Sequence, residues 1–197
     1  MKVLLYSGAQ KMIEKSGVGR AIYHQMEALD ANQVEYTTDM REDWDVAHIN
    51  TIFPKSFLLA RRAHHQGKKV VYHGHSTEED FRNSFIGSNL VAPLFKKWLK
   101  LCYSQGDVVI APTPYAKRLL DGYHIGRPVV SISNGIDLSF YQRDEEAGKA
   151  FRRKYGFSDE DRVVLSVGLP IDRKGILDFI ELAGRLPQYQ FIWFGDL

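Results

Sequence analysis

At 197 residues the chain has room for one large domain, or one domain and part of another, and its 44% hydrophobic content suits a globular protein with a full core. A net charge of +2 excludes a generally basic surface for nucleic acid, so any argument for an anionic partner must be local. The single cysteine, Cys102, excludes an internal disulfide, and without a signal-length or membrane-length apolar run the chain is expected to be cytoplasmic, with any membrane contact peripheral.

Val3-Leu4-Leu5-Tyr6 reads as a buried strand, followed by a polar loop from Ser7 to Ser16 that runs into Gly17-Val18-Gly19-Arg20. Val18, Ile22, Gln25, Met26 and Leu29 then fall on one face of a helix. Strand, glycines and helix N-terminus form a unit suited to an anion, because bare N–H groups point outward and glycine lets a phosphate approach. The plain alternative is a strand-to-helix turn in which glycine only permits the bend. A dinucleotide fingerprint fits poorly: Asp39 lies about 20 residues beyond Gly19, but Ile22 occupies the third glycine position. The loop between Tyr6 and Gly17 is also too long for that tight turn, and is expected to form a lid over a bulky substrate.

Further short apolar runs follow at Val34–Thr38, Val46–Asn50, Val70–Tyr72, Val108–Ala111 and Pro128–Ser133, with helices over Ser56–His65 and Pro114–Leu120. Strands alternating with helices imply a parallel sheet covered on both faces. The charged segment Asp144–Tyr155 reads as a helix, Ser158–Asp161 as a linker, and Val163–Val167 as a fresh strand. Ile176, Phe179, Ile180 and Ala183 mark another helix, and Gln190–Phe194 another strand. The expected fold class is therefore α/β: a Rossmann-like parallel sheet with helices on both faces over residues 1–161, then the truncated start of a second Rossmann-like domain over 162–197.

Ligands of open parallel sheets bind beyond the C-terminal strand ends. Those ends are Ser7-Gly8, Asn50-Thr51, His73-Gly74-His75, Pro112-Thr113 and Asn134-Gly135, a rim of hydroxyl, amide and imidazole groups. Ser16, Asn50, Thr113 and Asn134 are the rim candidates, each also explicable as turn or cap chemistry. His73 and His75 point to one side; they read as a structural pair or as donors to a substrate hydroxyl, and no metal site is expected because no further ligands stand beside them. The acid-free stretch from Phe81 to Gly106 carries Arg82, Lys96, Lys97 and Lys100. A wheel from Val91 groups Leu94, Phe95, Trp98, Leu101 and Cys102 opposite the three lysines, with Pro93 in the first turn. This is either a crossover helix alone, or one whose lysine face also meets anionic lipid with Phe81, Phe85 and Ile86 as an inserting edge.

Together these motifs resemble a retaining family 4 glycosyltransferase with a GT-B fold, two Rossmann-like domains facing each other across a cleft. The resemblance rests on Gly17-Val18-Gly19-Arg20, Trp44 to Ile49, His73-Gly74, Asn134-Gly135-Ile136-Asp137, and Val167-Gly168 followed by Arg173-Lys174-Gly175. His73 to Phe85 and the basic helix are most similar to bacterial diacylglycerol glucosyltransferases, which act at the cytosolic membrane face. The resemblance implies a nucleotide-sugar donor, UDP-glucose, with retention of configuration, a lipid acceptor, an anionic membrane surface as partner and no cofactor. Gly17 and Gly19 would approach the donor diphosphate, Lys174 would neutralise it, and His73 or His75 would hold a sugar hydroxyl. Leu169-Pro170 stands where the family has arginine after Val-Gly, so Arg173 is the expected substitute. The family's Glu-x7-Glu segment would lie beyond Leu197, leaving the chain alone inactive. The other readings are a soluble family 4 enzyme acting on a polysaccharide or small acceptor, and a non-catalytic nucleotide- or phospholipid-binding module.

Overall fold

The computed structural model describes residues 1–8 and 16–195, so most of the expected lid lies outside the described residues. The first part of the chain runs β1 (Lys2–Tyr6), α1 (Gly17–Ala31), β2 (Glu35–Thr37), β3 (Val46–Ile49), α2 (Pro54–His65) and β4 (Lys69–His73). It continues through α3 (Glu78–Phe81), α4 (Ser88–Tyr103), β5 (Val108–Ala111), α5 (Pro114–Asp121) and β6 (Val129–Ser131). The strands pair in parallel in the order β2-β1-β3-β4-β5-β6. The order reverses at β1, so right-handed crossovers place α1 on one face and α2, α4 and α5 on the other. The expected Rossmann-like sheet with helices on both faces is present.

Alternation along the strands divides the residues between two unlike faces. Leu4, Tyr6, Ala47, Ile49, Val70, Tyr72, Val109 and Ala111 turn toward α2, α4 and α5, where Leu59, Ala60, Leu99, Cys102, Tyr103 and Leu120 complete the main core. Val3 and Leu5 turn toward α1, whose Ala21 and Ile22 are buried. On that same face, further along the sheet, β3 and β4 carry His48 and His73 toward their C-terminal ends. The reversal point between β1 and β3 is where an open sheet forms a crevice beyond its strand ends.

The helix α4 corrects the sequence reading twice. It begins at Ser88, so Pro93 lies inside the helix and not in its first turn, and its ring denies a hydrogen bond to the preceding turn. Its buried side is Ser88, Ala92, Leu99, Cys102 and Tyr103, with Phe95 and Trp98 packed partly against the core. Trp98 Nε1 donates to the Ile52 carbonyl at 2.7 Å and fixes the helix rotation. Val91, Leu94 and Leu101, assigned to the sheet by the wheel, are exposed together with Leu90.

By contact the chain forms two compact units, Met1–Phe81 with Asn89–Ile136, and Arg82–Ser88 with Asp137–Leu197. The second contains α6 (Glu145–Tyr155), β7 (Val163–Val167), a 3-10 turn (Asp172–Lys174), α7 (Ile176–Arg185) and β8 (Gln190–Phe194). The helix α6 thus groups with the later strands, whereas the sequence reading carries the first domain to residue 161. β7 and β8 pair in parallel from Val163↔Gln190 to Val167↔Phe194. Phe151 and Tyr155 of α6 meet Phe194, while Phe179 of α7 meets Phe191 and Trp193 on the alternate face. None of the described residues from 137 to 195 is buried, as expected of two strands and two helices without further layers.

Candidate functional site

The strand-end rim is built around Gly74. A Cβ there would lie 2.7 Å from Leu120 Cδ1 and 3.4 Å from the Ile110 carbonyl oxygen, so only glycine lets the chain leave β4 pressed against β5 and α5. Gly74 N–H bonds that carbonyl at 2.7 Å. Held this way, the flanking His73 and His75 rings stack with centroids 4.1 Å apart and planes 2° from parallel. His48, from the same sheet face, lies edge to edge with His73, the near-parallel rings having centroids 5.4 Å apart.

Two amides complete the group. Gln25 of α1 and Asn50 at the end of β3 exchange hydrogen bonds of 2.8 and 3.0 Å. Gln25 also reaches His73 Nδ1 at 3.1 Å, His48 Nε2 lies 3.2 Å from the same nitrogen, and His75 Nε2 lies 3.1 Å from Asn50 Oδ1. Asn50 is 2% exposed and His73 4%. Asn134, after β6, lies beside His73 and favours its protonated form, yet His73 Nε2 and Asn134 Oδ1 are both buried outside bonding geometry. The sequence reading singles out His73, His75, Asn50 and Asn134, and the structure brings them together. It misses Gln25 and His48, whose only signals are an amide on a helix's apolar face and an inward imidazole in a buried strand.

Burial is the main cause that pushes all three imidazoles down, His48 and His75 to about 3 and His73 to about 4. Neighbouring imidazoles lower His48 and His75 further, while Asn134 acts in the opposite direction on His73. At neutral pH the rim is therefore uncharged: hydrogen-bond donors without a cation. Among the described residues no three metal-ligating side chains are placed to hold an ion.

A cleft of about 550 Å³ adjoins the end of β1, lined by Tyr6, Ser7, Gly8, Gly19, Arg20, Tyr23 and Asp39 among others. Gly17 and Gly19 belong to the first turn of α1, so they are helical rather than a loop before it; Ser16 caps that turn by accepting from Gly19 N–H at 3.3 Å. Thr113 likewise caps α5, accepting from Ala116 N–H at 3.0 Å. Asp39 is held by Arg41 through both carboxylate oxygens, which keeps its pKa at about 2. In the second unit, Arg173 and Lys174 form an exposed 3-10 turn, with Arg173 Nε donating to Ser84 Oγ at 3.2 Å.

One of the three lysines expected on a common face of α4 is engaged by neighbouring side chains. Lys96 pairs with the buried Glu78 at 3.0 Å and lies 4.4 Å from the centre of the Tyr123 ring. Lys97 is exposed, while Lys100 and Arg82 are half-buried. Phe85 and Ile86 are exposed, but Phe81 stacks on Phe95 at 4.2 Å and is no inserting edge. Among the described residues no helix is long and apolar enough to cross a membrane.

The profile of Glycosyltransferase Family 4 matches residues 38–140, which include β3 to β6 and the histidine rim. The chain belongs to this family. It is 46% identical over its whole length to the processive diacylglycerol alpha-glucosyltransferase of Acholeplasma laidlawii, covering 58% of that protein. It is 26% identical to the alpha-galactosylglucosyldiacylglycerol synthase of Streptococcus pneumoniae over 99% of the chain and 53% of the relative. The family 4 chain thus spans about half the length of these curated relatives. The fold is shared with Anabaena Alr3699/HepE, solved in complex with UDP and glucose, at a TM-score of 0.60 and 17% identity over 98% of this chain and 60% of that one. The UDP complex of the same protein gives a TM-score of 0.59 at 14% identity, over 99% of this chain and 70% of that chain.

Proposed function

We propose that the chain is part of a glycosyltransferase that moves glucose from UDP-glucose to diacylglycerol or a related membrane lipid, with retention of configuration, at the cytosolic membrane face. The observation that carries this reading is the uncharged donor set at the strand-end rim, His73, His75, Asn50 and Asn134. Sugar hydroxyls need directional donors and acceptors, and a glycosyl carbon that turns cationic as its bond breaks is opposed by nearby positive charge. Buried neutral imidazoles meet both demands. The 46% identity to a diacylglycerol glucosyltransferase supports the lipid acceptor and the sugar.

On this reading His73 or His75 donates to a hydroxyl of the donor sugar. Gly17 and Gly19, without side chains in the first turn of α1, let the diphosphate approach the positive end of the helix. Lys174 and Arg173 supply the positive charge that stabilises the leaving diphosphate. Leu90, Leu94 and Leu101 of α4 supply the membrane-facing surface, and Lys97 the attraction to anionic lipid. The test is label transfer by the full-length protein from UDP-glucose to vesicles containing diacylglycerol. A labelled α-glucosyl lipid is expected; label that reaches only a soluble polysaccharide, or no acceptor at all, overturns the proposal.

A further inference from the structure

The bonds among the rim's amides and imidazoles allow two opposite sets of protons, and the amides as placed give one of them. Gln25 Nε2 donates to Asn50 Oδ1 at 2.8 Å, and Asn50 Nδ2 donates back to Gln25 Oε1 at 3.0 Å. Gln25 Nε2 has a second hydrogen, and His73 Nδ1 lies 3.1 Å away; His75 Nε2 lies 3.1 Å from Asn50 Oδ1. An amide oxygen only accepts, so His75 carries its proton on Nε2. An amide nitrogen only donates, so His73 Nδ1 is bare and its proton is on Nε2. His48 Nε2, 3.2 Å from that bare nitrogen, shares its single lone pair as a second, weaker donor. Turning Gln25 and Asn50 over would instead protonate His73 on Nδ1 and leave its bare Nε2 facing Asn134, which pairs with it only if the Asn134 amide is turned over as well. As assigned, that buried nitrogen offers a hydrogen to a buried oxygen that lacks a partner.

We propose that Gln25 and Asn50 are positioning residues, a reciprocal amide clamp that fixes His48, His73 and His75 as Nε2–H tautomers and leaves His73 Nε2–H as a preset donor at the rim. Assigning that donor to a sugar hydroxyl rests on the transferase reading above; the clamp does not. β3 contributes His48 to the group and the end of β4 contributes His73 and His75, while α1 and the turn after β6 present the uncharged Gln25 and Asn134. The titratable groups acting on these rings are the other imidazoles.

Histidine-selective ¹⁵N NMR of the 197-residue chain reads the tautomer of each ring directly. The expected spectrum shows three neutral Nε2–H rings from about pH 7.5 down to about pH 5. Asn50→Asp keeps the shape but places a carboxylate at His75, so the His75 midpoint should rise by more than about one pH unit. Gln25→Met removes the donor to His73, whose two tautomers should then mix while circular dichroism stays unchanged. If either variant fails to fold, the wild-type spectrum decides alone. Nδ1–H on His73, or an unmoved His75 midpoint in folded N50D, overturns the clamp. In the full-length protein the His73 Nε2–H signal should shift with UDP-glucose and not with UDP. A spectrum that keeps the Nε2–H pattern but ignores UDP-glucose overturns the transferase reading and upholds the clamp.

Discussion

The three clustered imidazoles couple the site to stability. Each has a folded-state pKa of about 3 or 4, well below the ordinary histidine value of 6.5. Between those values the unfolded chain binds more protons than the folded one, so stability rises with pH there. The contribution is fully present above about pH 6.5 and is lost as pH falls toward the folded values, each ring adding a slope of up to about 1.4 kcal/mol per pH unit. Urea titrations between about pH 7 and pH 5 should show this loss, and His48→Gln should flatten it by about one ring's share. Stability independent of pH over that range would mean the rings are solvated. His73 and His75 were legible because they end a strand, where polar residues signal a site. Gln25 and His48 were not, since periodicity records only that a position faces inward, and an inward amide or imidazole looks like an imperfection in an apolar face.

At the scale of an element, α4 shows what a helical wheel weighs wrongly. Its existence was plain from the sequence, but its rotation was not. Bulky residues dominated the reading, whereas the small Ala92 is fully buried. Leu90 and Leu94, 87% and 64% exposed, are left outside. Lys96, taken for a lipid contact, is engaged by Glu78 and Tyr123. The membrane reading therefore shifts from a lysine face to an apolar stripe. Leu90→Ser with Leu94→Ser should reduce sedimentation with anionic vesicles more than Lys97→Gln does, each buried leucine being worth about 1.5–3 kcal/mol against about 1 kcal/mol for a surface lysine. The larger loss in Lys97→Gln would restore the electrostatic account.

At the scale of the whole molecule, short apolar strands alternating with helices were enough to give a parallel sheet, and its strand ends were enough to give the rim. The grouping of α6 was not legible, because the polar linker at Ser158–Asp161 sets the boundary after it. Its contacts come from Phe151 and Tyr155 against Phe194, far along the chain. The transferase reading turns on the imidazoles at the end of β4 acting on the sugar of the donor. Its most direct test compares His73→Ala and His75→Ala in the full-length protein, reading turnover with UDP-glucose against affinity for UDP, which lacks the sugar. One of the two is expected to lower turnover on the order of 10²-fold with UDP affinity nearly intact, as for loss of a preorganised donor. Equal and mild losses in both variants would contradict it, and would leave the pair a structural element of the fold.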